Sequence, residues 1–191
     1  GSSDSDYNVA IGQSALRTNA DGKENIAIGK SAMLNTVSGS QNVAIGSNTL
    51  SSGNVAESVF KFNVAIGANA ASQMNSGNNQ IAIGNQAMYT AGANGEDLDD
   101  NIAIGQQSLY SLEKGDYNIA MGYQAMYQME SGSKNVAIGY QALGDKDNSG
   151  TGAEVTSNVA IGNNALGDLK NGGLNIAIGN GAMSSVEGTD S

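Results

Sequence analysis

The 191-residue chain has no cysteine, no proline, no histidine and no tryptophan, and only 14% of it is charged. Each absence removes a class of explanation. Without cysteine there is neither a disulfide framework nor a thiolate metal site. Without histidine as well, the usual general base, metal ligand and strong nucleophile are missing, and no serine stands in a GxSxG setting. The expectation is a non-enzyme with no cofactor. Paired carboxylates are the remaining route to a glycosidase, but most, including Glu96, Asp97, Asp99 and Asp100, fall in variable loops and read as solvated charge. No stretch approaches the ~20 apolar residues of a membrane span, and no basic-then-apolar N-terminus resembles a secretory signal. Eight Lys and Arg against eighteen Asp and Glu, a net charge of −10, argue against nucleic acid and against insertion into or binding to an anionic membrane.

What is present is one pentapeptide, many times. The string NVAIG or a near copy starts at Asn8, Asn25, Asn42, Asn63, Gln80, Asn101, Asn118, Asn135, Asn158 and Asn175. Six of the steps are 17 residues, and the others are 21, 21 and 23. Such a period marks a repeat architecture, in which each unit buries its apolar face by stacking on its neighbours. The 27 glycines and low charge resemble a disordered composition, yet the apolar residues recur in register. A helical repeat is the main rival, and glycine in mid-unit, β-branched pairs and Asn-rich loops all disfavour helix.

The unit reads as an all-β rung. Its second residue is always Val or Ile, its fourth is Ile except at Met121, and Ala stands between them in all ten copies. With period two, Val/Ile and Ile share one strand face and Ala takes the other. The invariant Gly that follows marks a corner needing positive φ or close approach of another segment. Next comes an apolar pair, such as Ala32 and Met33 or Ala142 and Leu143, expected to fill the core from an irregular segment. A second Gly, as at Gly22 and Gly115, makes the return turn. Parallel rungs about 4.8 Å apart would give a rod about 45 to 50 Å long. The leading Asn suits a ladder in which stacked amides bond from rung to rung, and Gln80 would partly preserve it. A coil this small cannot bury both strand faces, so an apolar strip must be covered from outside, most simply by parallel self-association.

With those residues in view, the N[VI]AIGxxA[LM] string resembles the head repeat of trimeric autotransporter adhesins of the YadA-like type. It is closer still to the NxAIGxxAL repeats of phage tail fibres and related bacterial surface fibres. The resemblance covers Asn8 to about Met183. It implies a left-handed parallel β-roll of ten rungs, assembled as a parallel homotrimer, extracellular on a cell surface or virion, and attaching to a glycan or protein receptor on a host or neighbouring cell. The longer period, the Leu/Met position and the inserted loops depart from the adhesin pattern and favour the fibre branch. Residues 1–7 read as a cloning scar and leader, and 8–191 as one solenoid domain with inserts near 51–62, 90–100 and 144–157.

Candidate binding residues lie where rungs differ. Tyr89, Tyr110 and Tyr127 share one position in three successive rungs, Gln86, Gln107, Gln124 and Gln141 form a neighbouring row, and Tyr123 and Tyr140 stand beside it. Exposed rings next to amides suit a sugar, whose pyranose face stacks while its hydroxyls bond. The same rings suit stacking that only stabilises the rod. Asp145, Asp147 and Ser149, before Gly150, match the opening of a calcium loop, but Thr156 stands where the closing bidentate Glu belongs, so a polar turn is the better reading. Regular Thr rows, which an ice-binding face needs, are missing. Two readings remain: an attachment segment, or a passive spacer that carries a binding tip elsewhere.

Overall fold

In the computed structural model, which describes residues 6–51, 61–92, 98–144 and 155–185, the ten pentapeptides form ten short parallel strands in one sheet. They are β1 (Val9–Ile11), β2 (Ile26–Ile28), β3 (Val43–Ile45), β4 (Val64–Ile66), β5 (Ile81–Ile83), β6 (Ile102–Ile104), β7 (Ile119–Met121), β8 (Val136–Ile138), β10 (Val159–Ile161) and β12 (Ile176–Ile178). A second, two-stranded sheet pairs β9 (Val155–Thr156) with β11 (Gly172–Gly173) in the return segment. Each strand pairs with the next in strict register, so the chain is a β-solenoid. The longer steps leave that register intact: Val43 faces Val64, Ile81 faces Ile102 and Val136 faces Val159. The chain keeps to the coil up to Gly92, whose N–H donates to Leu112 O, and is back on it at Asp99, which bridges Asn78.

The Ala column points inward and the Val/Ile columns outward. Ala44, Ala65, Ala120 and Ala137 are fully buried, whereas Ile45, Ile66, Met121 and Ile138 are 36–38% exposed. Across the interior the second apolar pair closes the core, as at Met33, Leu50, Met88, Leu109, Met126 and Leu166. A third inward column, eleven positions after each leading Asn, completes it with Thr36, Met74, Ala91, Leu112, Met129 and Leu169.

Backbone geometry explains why the pair ends in Leu or Met. Leu16, Met33, Leu50, Leu109 and Leu166 all have φ between 45° and 50°. A β-branched side chain is more strained in that left-handed region than an unbranched-at-Cβ one such as Leu or Met. Two further positions per rung, the residue before the leading Asn and the sixth after it, are left-handed too, and among the described residues none of the 29 non-glycine residues with positive φ is Val, Ile or Thr. The corner glycine is required twice over. Gly84 has φ of +136°, and a Cβ there would lie 2.5 Å from the carbonyl oxygen of Gly105 in the next rung.

The leading Asn residues form the expected ladder, inside the coil. Asn118 N–H donates to Asn101 Oδ1 at 2.9 Å, and Asn135 N–H donates in turn to Asn118 Oδ1 at 3.1 Å. Asn118 Nδ2 also donates to Gly132 O, at 2.8 Å, tying the start of the rung to its return turn. Gln80 preserves both functions, accepting from Asn101 N–H at 3.3 Å and donating to Leu98 O at 2.6 Å. These amides are fully buried with their bonds made, which a polar group in a core requires.

Candidate functional site

The Tyr and Gln rows are two parallel columns on one flank of the rod. Each Tyr follows the inward Leu/Met directly, so the left-handed residue before it turns the ring outward to meet the ring one rung away. Tyr89 and Tyr110 stack with centroids 5.2 Å apart at 20°, and Tyr110 and Tyr127 lie 5.1 Å apart at 36°. Burial, then the Tyr127 and Tyr89 hydroxyls, push the central Tyr110 hydroxyl above its ordinary value of 10.0. Tyr123 and Tyr140 form a second stack, 5.3 Å apart at 15°, with 39% and 49% of each side chain exposed.

The Gln column is hydrogen-bonded end to end. Gln107 Nε2 donates to Gln86 Oε1 at 3.0 Å, Gln124 to Gln107 at 2.9 Å and Gln141 to Gln124 at 2.8 Å. The structure therefore brings together all nine residues singled out in the sequence, as ladders. Ring faces inside a stack are covered by their own kind and each amide inside the chain has a donor and an acceptor committed to its neighbours, so the least committed groups are those at the ends.

Sequence reasoning missed the ground next to one such end. Gln141, Asn164, Asp168 and Ser184 line a cavity of about 270 Å³, formed with the glycines at 144, 167 and 181. Its signal in the sequence is a loss: the Tyr column gives way to Gly144, Gly167 and Ser184. The calcium candidates Asp145, Asp147 and Ser149 lie outside the described residues, as do Glu96 and Asp97. Among the described residues no three acidic side chains come together as a metal site, and no helix is long and apolar enough to cross a membrane.

The outward strand face is the other candidate surface. Its Val/Ile and Ile columns run through all ten rungs without a charged residue. Beside them, in the left-handed position before the leading Asn, stand Tyr7, Phe62, Tyr117 and Leu174, each more than half exposed and each three rungs from the next. Comparison of the chain with protein-family models, with curated proteins and with solved structures gives no match, so its function has to be argued from these surfaces.

Proposed function

We propose that this chain is a segment of a trimeric surface or virion fibre that attaches to glycans on a host or neighbouring cell. The observation that carries the reading is the apolar outer face of the sheet. Continuous, uncharged apolar columns along a rod are adhesive in water, and covering them with equivalent columns from parallel copies removes the exposure. The large apolar side chains at Tyr7, Phe62, Tyr117 and Leu174 widen that strip at regular intervals, as a contact between equal rods would use. Three copies would present each flank three times, turning weak single contacts into firm attachment. Sedimentation equilibrium at low micromolar concentration tests the assembly: a mass three times 19.3 kDa is expected, and a stable folded monomer refutes it.

The bonded Tyr and Gln ladders favour a second reading, that this segment is a spacer whose binding tip lies elsewhere. Replacing Tyr89, Tyr110 and Tyr127 together by Ser separates the two. If attachment runs through the ladder faces, the variant keeps its mass but adheres less to target cells; unchanged adhesion by a folded trimer shows that the ladder faces make no contact and leaves the spacer reading or a contact elsewhere on the flank.

A further inference from the structure

The Tyr ladder has two unlike ends. At the Tyr89 end the hydroxyl accepts a hydrogen bond from Gln73 Nε2 at 3.1 Å. At the other end Tyr127 is followed in its column by Gly144, Gly167 and Ser184, while Gln141 is followed in the adjoining column by Asn164 and Gly181. Side chains that fill this flank in the preceding rungs shrink to hydrogen atoms, and the cavity of about 270 Å³ opens there. Gln141 donates through Nε2 to Gln124, but among the described residues its Oε1 receives no donor, and the Asn164 side chain bonds to none of them.

We propose that this cavity binds one residue of a neutral saccharide. The proposal rests on the attachment reading and moves the contact from the ladder faces to the ladder's end. The volume lies just below the range of about 300–1,000 Å³ typical of drug-sized sites, as suits a single sugar ring. The polar lining is weighted toward acceptors, with Gln141 Oε1, Asn164 Oδ1 and the Asp168 carboxylate set against donors from the Asn164 amide and the hydroxyls of Ser184 and Ser185. Vicinal sugar hydroxyls, each a donor and an acceptor, match that mixture. Among the described residues no Lys or Arg lines the cavity, and Asp168 with the net charge of −10 opposes anionic sugars. Tyr140 adjoins the site, because its carbonyl accepts from Asn164 N–H at 2.9 Å. One face of its ring rests on Tyr123, and among the described residues no second ring stacks on the other.

Two substitutions test this on the intact chain. Gly167→Tyr extends the Tyr column into the cavity; Gly167 lies outside the positive-φ region, and its added Cβ would meet Asn164 O at 3.2 Å. Asp168→Ala removes an acceptor from an exposed position and leaves the core untouched. Saturation-transfer NMR with lactose, maltotriose and mannobiose, and with sialyllactose as the anionic control, is expected to show transfer to at least one neutral sugar and none to sialyllactose. Gly167→Tyr abolishes the signal and Asp168→Ala weakens affinity about tenfold, the loss of one hydrogen bond to a charged group. Absence of transfer to every neutral sugar, or transfer undiminished in both variants, overturns the proposal. The sedimentation mass of the same samples keeps the two readings apart: a monomer that binds refutes the fibre assembly alone, and a trimer that does not bind refutes the cavity alone.

Discussion

The two faces of one strand invert the usual relation between size and burial. In β7 the small Ala120 is fully buried, while Ile119 and Met121 on either side of it turn outward and are partly exposed. The inner face is limited by space, since Met126 and Leu143 already occupy the interior and only a methyl group fits opposite them. The outer face is not limited by its own chain. Hydrophobicity therefore fails to tell inside from outside here, and volume decides.

Substitutions that treat the faces alike should expose the difference. The largest effect is expected inside, at the ladder: Asn118→Ala removes two side-chain bonds donated to Asn101 and Gly132 and two accepted from Asn135, and is expected to cost about 4 kcal/mol by denaturant titration. Ala120→Leu follows, because overpacking the same rung costs about 3 kcal/mol. Its outward neighbour gives the contrast, with Ile119→Leu expected to shift stability by less than about 0.5 kcal/mol. Equal losses at Ala120 and Ile119 would show that the faces do not differ. Third, replacing Ile45, Ile66 and Ile138 together by Ser is expected to leave the circular dichroism spectrum of the rod intact while lowering its sedimentation mass to that of a monomer. The smallest effect belongs to Tyr110. Its folded pKa is raised, so the stability linked to its neutral form is complete below about pH 10 and is lost as pH rises through the folded value. A pH titration of tyrosinate absorbance is expected to show one late-titrating ring in the parent that disappears when Tyr110 is replaced by Phe.

The sequence revealed the framework wherever one residue type repeated at a fixed place. The Ala column, the corner glycines and the Asn ladder were all legible in that way, because stacking places like above like. Which strand face turns inward was not legible, since both are apolar and the answer depends on how much space Leu and Met leave. The third core column was hidden for the opposite reason: Thr36, Met74, Ala91 and Leu112 share an inward direction and no chemistry. Left-handed backbone at 29 of the described non-glycine residues left only a negative trace, the exclusion of β-branched types. The Tyr and Gln rows could be read as columns, but their mutual contacts could not, and a cavity made by glycines offers no side chain to notice.

The joint between rungs has a consequence for how such a chain changes over generations. Every rung grips the next through equivalent atoms, the backbone N–H of the leading Asn or Gln on the preceding side-chain amide oxygen and one strand paired with another in identical register. A new rung copied in frame from its neighbour meets a ready-made surface above and below, and a lost rung leaves two compatible surfaces facing each other. Slippage or unequal exchange within the gene can therefore lengthen or shorten the rod without inventing any new contact, so its reach is inherited separately from the chemistry on its flank.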